Sequence, residues 1–351
     1  MVTSFDPLYR AIRDTPDNPA SWHVLADALI SRGDPRGELL QLLLIDPKGV
    51  DRRIRRRQRL LARALPTAPL PKCVSPSFTH GFLTGIRGSV RNLALKDLAT
   101  CFDRPDAGAL YNLALTMGQN SLSYLEALAD EPWLHRITSL KLVAGHEFPA
   151  SATALLAAPP LRSLWRVFLQ GPVTLDPALF EVLARLPLRE LSLFPPAAVY
   201  QTHPRYLSIT PRTDPPAPWP DDTVSALLRA PWRLERLKLG RVGLMESGGS
   251  RLFGSALLHT VQHLRVGPSG LGPDALDALA SQPRPALIEV HLLNNRVGDA
   301  TQVFSKRSVF PNLRRVLLEH CHVGTAAVQA LRSRSFDQLR ITNGRTPFRT
   351  A

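Results

Sequence analysis

Short runs with the pattern Leu-x-x-Leu-x-Leu recur through most of the chain. They begin at Leu110, Ile137, Leu164, Leu188, Leu234, Val261, Leu287 and Leu313, with a weaker run from Phe336. Apolar residues alternate with polar ones inside each run, which is typical of a strand with one buried face. Helical patterns lie between the runs, such as DPALFEVLARL from Asp176 and GPDALDALASQ from Gly272. The pattern therefore predicts alternating strands and helices.

This alternation resembles the ribonuclease-inhibitor class of leucine-rich repeats. Two runs carry a further feature of such repeats, because Asn295 and Cys321 stand three positions after the last apolar residue. A single unit cannot bury its own apolar face, so units stack into a solenoid. The resemblance implies an α/β leucine-rich-repeat solenoid over residues 80–343, with a curved parallel sheet inside and helices outside. Residues 344–351 are predicted to form a flexible tail.

The first 65 residues show a helical period instead. Three pairs, Asp6-Pro7, Asn18-Pro19 and Asp34-Pro35, each place a capping side chain before a proline suited to the first helical position. After the second pair, apolar residues follow at helical spacing: Trp22, Leu25, Ala26, Leu29 and Ile30. Gly33 is expected to end that helix in the left-handed conformation. We predict a small all-α domain over residues 1–65.

The segment LYRAIRDTPDNPASWHVLADALISRGDPRGELLQL resembles the repeat-companion domain of bacterial proteins. Ala26-Asp27 and the stretch from Arg32 to Glu38 carry the match, whereas Ala28 stands where that family usually has tryptophan. In that family the domain commonly precedes leucine-rich or other repeats, so the resemblance implies a neighbouring repeat array and no reaction. Arg36 lies at a predicted helix start, where an anion can bind, but its turn is explained mainly as the boundary between two helices.

The next segment, VDRRIRRRQRLLARAL from Val50, predicts a basic amphipathic helix. It carries Arg52, Arg53, Arg55, Arg56, Arg57, Arg59 and Arg63, and its expected apolar side is Val50, Ile54, Leu61 and Leu65. Two interpretations remain open. The arginines bind nucleic-acid phosphates or another anionic surface, or they pair with acids of the first helices such as Asp14, Asp17 and Asp27. Prolines in the following segment predict a linker over residues 66–79.

Alternation within each run also predicts which residues face outward. The position before the second leucine gives Asn112, Ser139, Arg166, Glu190, Arg236, His263, Glu289 and Arg315. The position between the last two leucines gives Ala114, Lys141, Phe168, Ser192, Lys238, Arg265, His291 and Leu317. The partner-binding set predicted from this concave face is Trp165, Arg166, Phe168, Arg236, Lys238, His263, Arg265, Glu289, His291 and Arg315.

Aromatic and arginine side chains are the types enriched in protein-binding hot spots. Arg236, Lys238, Arg265 and Arg315 form a basic section of this face, which Glu289 interrupts. A surface that binds duplex nucleic acid is expected to be more uniformly basic. The face therefore favours a protein partner with an acidic patch, with nucleic acid as the less favoured partner. Ordinary variation along a solvated surface is the alternative.

An insertion over residues 195–220 explains why one step between runs measures 46 residues. It contains eight prolines and four aromatic or imidazole side chains, Tyr200, His203, Tyr206 and Trp219. Long loops in repeat proteins often carry binding residues. The segment is either a binding loop or a degenerate repeat, in which RYLSIT forms an extra strand.

Composition narrows the function further. The net charge of +14 favours anionic partners without choosing among them. Three cysteines without metal-ligand spacing indicate neither a disulfide framework nor a zinc site. No secretory signal and no apolar run long enough to span a membrane are visible, so a cytoplasmic protein is expected.

Two clusters suggest chemistry but are explained better without it. In His320-Cys321-His322 the cysteine occupies the inward repeat position, and no fourth metal ligand stands nearby in the sequence. His263, Glu289 and His291 lie on an open sheet that offers no closed pocket for acid–base catalysis. We therefore expect no enzymatic activity, cofactor or metal. The predicted function is a protein-interaction module or scaffold, with anion binding through residues 52–63 as the alternative.

Overall fold

The computed structural model describes residues 6–47, 50–64, 69–104, 106–118, 121–144, 150–171, 177–194, 218–343 and 346–348. The chain divides into two compact units. Unit 1 comprises Met1–Val143 and Ala158–Leu164, and unit 2 comprises Ala144–Ala157 and Trp165–Ala351.

The described α-helices are α1 Asp6–Asp14, α2 Pro19–Ile30, α3 Pro35–Ile45, α4 Arg52–Ala64, α5 Leu95–Phe102, α6 Leu122–Ala129, α7 Ala150–Ala157, α8 Pro177–Ala184, α9 Asp221–Arg229, α10 Met245–Gly254, α11 Pro273–Ala280 and α12 Thr325–Arg332. Short 3-10 helices span Pro132–Arg136, Pro159–Ser163, Ala256–His259 and Gly298–Ser305. The strands are β1 Val74–Thr79, β2 Phe82–Ser89, β3 Asn112–Met117, β4 Ser139–Ala144, β5 Arg166–Gln170, β6 Glu190–Phe194, β7 Arg236–Leu239, β8 His263–Val266, β9 Glu289–Leu293, β10 Arg315–Glu319, β11 Gln338–Asn343 and β12 Thr346–Phe348.

The first helices of unit 1 begin where the Asx-Pro pairs predict. Asn18 Oδ1 accepts a hydrogen bond from the Ala20 amide at 3.1 Å, and Asp34 Oδ1 accepts one from the Arg36 amide at 2.9 Å. Gly33 has a φ of 70°, the left-handed conformation that favours glycine at a helix end. The Arg36 guanidinium forms an ion pair with Asp34. The turn between α2 and α3 is therefore a helix boundary, as predicted, and its arginine binds the capping carboxylate.

The core beside these helices includes residues that come later in the chain. Phe82 of β2 and Ala109 join the helical residues Tyr9, Ile12, Trp22, Leu25, Ala26, Leu29 and Leu40 in one buried cluster. The Trp22 indole N–H donates to the Pro16 carbonyl at 2.9 Å. Position 65 is thus no boundary between the compact units. That the helices form a domain of their own stays a prediction.

Within unit 1 the strand order is β1-β2-β3-β4. β1 pairs antiparallel with β2, and β2 pairs parallel with β3 so that Gly85 lies opposite Asn112. β1 occupies the second half of the predicted 66–79 linker, and that part of the prediction is wrong. The antiparallel β2 supplies the backbone hydrogen bonds that make Val74–Thr79 a strand despite Pro76.

Unit 2 contains a mostly parallel sheet with helices between its strands, in the order β5 to β12. The pattern leucines and valines point inward and are at most 1% exposed: Val167, Leu169, Leu191, Leu193, Leu237, Leu239, Leu264, Val266, Val290, Leu292, Val316 and Leu318. Burying each such side chain contributes about 1.5–3 kcal/mol. β12 pairs antiparallel with β11. Thr346–Phe348 thus pairs with the sheet within the predicted tail, residues 344–351, and the flexibility of that tail stays a prediction.

Asn295 and Cys321, which follow the last apolar position of their runs by three residues, both point into unit 2. Asn295 is 1% exposed, its Nδ2 donates to the carbonyls of Gly267 and Leu293, and its Oδ1 accepts from the amides of Ser269 and Leu271. Cys321 is fully buried, and its thiol donates to the Leu292 carbonyl at 3.4 Å. These contacts connect one repeat to the preceding one through backbone carbonyls and amides.

Buried arginines form a second connection that the sequence pattern does not reveal. Arg284 is 1% exposed and donates to the carbonyls of Phe253 and Ser255 at 2.7 and 3.0 Å. Arg334 is 6% exposed and donates to the carbonyls of Phe304 and Leu313, both at 3.0 Å. Each guanidinium thus satisfies backbone oxygens of earlier segments. Part of the positive charge therefore has a structural role.

None of the helices in the described part of the chain combines the length and the apolar composition that crossing a membrane requires.

Candidate binding surface on the sheet of unit 2

The outward residues of β5–β10 form two rows across the sheet, which we call the strand face. The first row is Arg166, Glu190, Arg236, His263, Glu289 and Arg315, and the second row is Phe168, Ser192, Lys238, Arg265, His291 and Leu317. Each residue is the direct pairing partner of the next one in its row. This register is the one predicted from the repeat pattern, and it is confirmed.

Ion pairs neutralise much of the first row. Glu190 is 9% exposed and accepts hydrogen bonds from Arg166 Nη2 at 2.9 Å and Arg236 Nη1 at 2.7 Å. Glu289 accepts from Arg315 Nη1 at 3.2 Å, and its Oε2 lies 3.5 Å from His263 Nδ1. Arg236 and Arg315 were predicted as half of an open basic section. Each instead binds a carboxylate of the neighbouring strand, because residues that are direct partners on adjacent strands have side chains within reach of one another.

The second row keeps its positive charge. Lys238 and Arg265 are direct partners on β7 and β8. Arg265 is exposed and Lys238 is half-buried. Neither forms an ion pair with any residue that the structure describes. Because these two adjacent cations have no described counter-charge, this part of the strand face attracts anionic groups.

An aromatic stack lies beside these cations. The rings of Phe168 and Phe194 stack with their centroids 5.0 Å apart and an interplanar angle of 24°. Gly240 makes room for this stack, because a Cβ at that position would lie 2.4 Å from Phe194 Cδ1. Phe194 was not among the predicted residues, although the alternation that predicts Phe168 and Ser192 also reaches it two residues after Ser192.

Trp165 does not contribute to this surface as predicted. Its side chain is only 9% exposed, and the Arg166 guanidinium covers the ring at 4.7 Å from the centroid. The residue precedes the strand, so the outward alternation does not apply to it. Phe194 takes the place of Trp165 as the second aromatic residue of the strand face.

His291 lies at the edge of the second row. Its Nε2 is 3.7 Å from Glu319 Oε1, and Arg340 Nη1 lies 3.6 Å from the same oxygen. Burial, and then the nearby Arg265 charge, holds the pKa of His291 below its ordinary value. The imidazole is therefore neutral near pH 7.

The His320-Cys321-His322 cluster is divided between inside and outside. The thiol of Cys321 is buried, and this burial raises its pKa to about 11. Both histidines are exposed, with φ values of 57° and 55°. Over the described ranges, no group of three or more potential ligands from histidine, cysteine, aspartate and glutamate could hold a metal ion.

Of the four residues singled out in the 195–220 insertion, Tyr200, His203 and Tyr206 lie outside the described residues. Trp219 is half-buried and packs against Phe180 of α8, with ring centroids 6.0 Å apart. Its amide donates to the Gly243 carbonyl at 2.6 Å. Trp219 thus fixes the end of the insertion to unit 2 and is not a free aromatic residue of a binding loop.

The basic helix α4 of unit 1 is mostly exposed. Arg57 pairs with Glu38 at 2.7 Å, and not with the three aspartates that the alternative interpretation named. Arg52, Arg53, Arg56 and Arg59 are exposed and form no ion pair with a described residue. Val50 is 74% exposed, so it does not belong to the apolar side, whereas Leu61 is buried. The side chain of Arg63 lies outside the described residues.

No protein-family model matches the chain, and a search of curated proteins finds no significant match.

Proposed function

We propose that this chain is a non-enzymatic leucine-rich-repeat solenoid, with a repeat-companion-like helical segment before the repeats, that binds an acidic protein partner. The binding surface in this proposal is the second row of the strand face together with Phe194. The helical segment supports the first repeats and takes no part in recognition. The chain acts as an interaction module or scaffold.

One observation carries the proposal: an aromatic stack stands next to two cations that have no described counter-charge. Lys238 lies two strands from Phe168, which is about 10 Å at the usual strand spacing. A single protein segment can therefore cover Phe168 and Phe194 with an apolar side chain while its carboxylates reach Lys238 and Arg265. Aromatic residues at the centre of an interface commonly contribute 2 kcal/mol or more, about that of a hot spot.

The carboxylates Glu190 and Glu289 support this surface in a different way. Each is held by cations of its own row, so it does not repel an acidic partner as a free carboxylate would. The ion pairs also fix the long arginine side chains, which lowers the entropy cost of binding.

The test compares three tagged proteins in native lysate treated with nuclease. The first is wild type, the second is Lys238→Glu/Arg265→Glu, and the third is Arg229→Glu/Arg332→Glu. The third is a matched control, since it makes the same charge change at exposed positions on α9 and α12 of the same unit. We expect a stoichiometric protein that the wild type and the control retain and the strand-face variant loses. Retention by all three would refute the proposal.

A second candidate function rests on α4, where four exposed arginines lack a described acidic partner. Binding of a nucleic-acid duplex through these side chains would weaken steeply with salt, with a slope of about −0.9 per neutralised phosphate in a plot of log K against log salt. Replacing Arg52, Arg53, Arg56 and Arg59 with glutamine should abolish such binding, while Lys238→Glu/Arg265→Glu leaves it intact. Salt-independent binding would exclude this function.

A further inference from the structure

Unit 1 contains a cleft of about 760 Å³ that is independent of the strand face. Helix α1 forms one wall, and the 3-10 helices Pro132–Arg136 and Pro159–Ser163 form others. The segment around Gly108 contributes to its lining. Its volume is within the range of small-molecule binding sites, about 300–1,000 Å³.

Positive charge dominates this cleft. Its charged and imidazole lining residues are Arg10, Arg13, Arg104, Arg136, Arg162, His135, Asp6 and Asp14. The ion pair between Arg104 and Asp106, at 2.8 Å, already satisfies one arginine. The two lining aspartates do not balance the remaining four arginines, so the cleft has a positive excess.

Two of these arginines are held rigidly by backbone oxygens. Arg13 Nη1 donates to the Gly108 carbonyl at 2.8 Å, and Arg136 donates to the carbonyls of Phe102, at 3.0 Å, and Ala107. The Arg136 guanidinium also lies over the Phe102 ring, 5.1 Å from its centroid. A guanidinium carries five N–H donors, and hydrogen bonds to described residues occupy two of those on Arg136. Because these contacts fix the guanidinium, the orientation of its remaining N–H donors is fixed as well.

The electrostatics of Arg13 and Arg136 agree with this geometry. Burial lowers the pKa of both, and the Arg136 charge further lowers that of Arg13. The Arg136 charge therefore disfavours the Arg13 charge in a partly desolvated place, and the Asp6 carboxylate offsets part of this cost for both arginines. A bound anion between them would remove this repulsion, and it would gain charge-assisted hydrogen bonds that are about twice as strong as neutral ones.

Two exposed cations stand at the rim. Arg10 of α1 and Arg162 of Pro159–Ser163 are exposed, and neither pairs with an acid among the described residues. Asp6 and Asp14 are exposed on the same side as Arg10. Their carboxylates repel an anionic ligand. A group with at least two negative charges is therefore favoured, because it gains more from the arginines than a singly charged group does.

We propose that this cleft binds a small phosphorylated molecule, with Arg13 and Arg136 as fixed ligands of the phosphate and Arg10 and Arg162 closing over it from the rim. Guanidinium groups bind phosphate oxygens through pairs of parallel hydrogen bonds. A carboxylate accepts such a pair too, but it carries less charge than a phosphate group. The prolines of Pro159–Ser163 that line the cleft supply an apolar wall for the organic part of the molecule. This inference does not rest on the proposed function.

The experiment is a calorimetric titration of the full chain with pyrophosphate, with citrate as a carboxylate probe of comparable charge. The rim variant Arg10→Ala/Arg162→Ala removes two exposed side chains and should leave folding intact. Its matched control is Arg87→Ala/Arg91→Ala, which removes two exposed arginines of unit 1 that do not line the cleft. We expect wild type and control to bind pyrophosphate alike, and the rim variant to bind it about tenfold or more weakly.

Arg136→Lys tests the role of the guanidinium separately, because lysine keeps the positive charge but lacks the paired N–H donors. Its pyrophosphate affinity should also fall, with the melting temperature recorded to show that the variant is folded. Three results would overturn the proposal: no heat of binding at millimolar pyrophosphate, equal weakening in the rim variant and its control, or citrate bound as tightly as pyrophosphate.

Discussion

Asn295 is the residue whose replacement most directly probes how one repeat is joined to the next. Asn295→Ala removes four hydrogen bonds with lengths of 2.8 to 3.2 Å, to Gly267, Leu293, Ser269 and Leu271, and a fifth, longer one to the Val266 carbonyl at 3.3 Å. At about 1 kcal/mol for each bond, the free energy of unfolding should fall by roughly 3–4 kcal/mol. Asn312→Ala is the matched control, because Asn312 is exposed and donates one bond, to the Pro285 carbonyl at 2.8 Å. Its cost should stay below about 1 kcal/mol.

The assay is denaturant unfolding followed by circular dichroism, together with amide hydrogen exchange at Ser269 and Leu271. Exchange is needed because repeat arrays do not always unfold in a single step. In Asn295→Ala the two amides lose their acceptor and should exchange faster, while amides of unit 1 keep their rates. Equal loss of stability in both variants, or unchanged exchange at Ser269 and Leu271, would refute the role of Asn295 in joining its repeat to the preceding one.

Three further predictions concern the strand face and its surroundings. Gly240→Val should displace the Phe194 ring, since the added carbon would lie 2.4 Å from Phe194 Cδ1, and partner capture should fall without loss of folding. The thiol of Cys321, with its pKa raised to about 11, should resist a thiol reagent at pH 8 that modifies the half-buried Cys73; equal rates in the native protein would contradict this burial. His291 has a lowered pKa in the folded chain, so the unfolded chain gains its proton first, and stability should decline as the pH falls below about 6.5. His291→Gln should reduce that decline, and an unchanged pH profile of the denaturant midpoint would refute it.

The repeat pattern predicted the two rows of the strand face, though not Phe194, because burial of every second side chain fixes both the direction and the register of a strand. The same reasoning placed Asn295 and Cys321 inside, where the structure has them. The capping pairs likewise predicted where α2 and α3 begin. These features depend on local geometry and a binary apolar pattern, and a single sequence carries both.

The features that the sequence did not reveal depend on tertiary contacts. Nothing local indicates that Glu190 binds two arginines from neighbouring strands or that Arg284 reaches carbonyls about thirty residues earlier. Trp165 was expected outside because aromatic residues are common in interfaces, but it precedes the alternating part of its strand. β1 escaped the prediction because Pro76 and Pro71 suggest a linker, and only its partner β2 makes it a strand.

The buried arginines also change what the net charge of +14 means. Arg284 and Arg334 bind backbone carbonyls inside unit 2, and Arg13 and Arg136 do so in unit 1. Such side chains contribute to the total charge but do not form part of a uniform basic surface. Exposed cations that the structure shows without a described acidic partner include Arg265 on the strand face, Arg10 and Arg162 at the cleft of unit 1, and Arg52, Arg53, Arg56 and Arg59 on α4.

Site-specific photo-crosslinking in cells from position 265, with position 229 on α9 as the control site, tests directly whether the strand face binds an acidic protein. Both arginines are exposed in unit 2, but only Arg265 lies on the strand face. Our account predicts one protein adduct from position 265, resistant to nuclease and joined through a peptide rich in aspartate or glutamate, and no such adduct from position 229. The same adducts from both positions, or adducts only with nucleic acid, would contradict it.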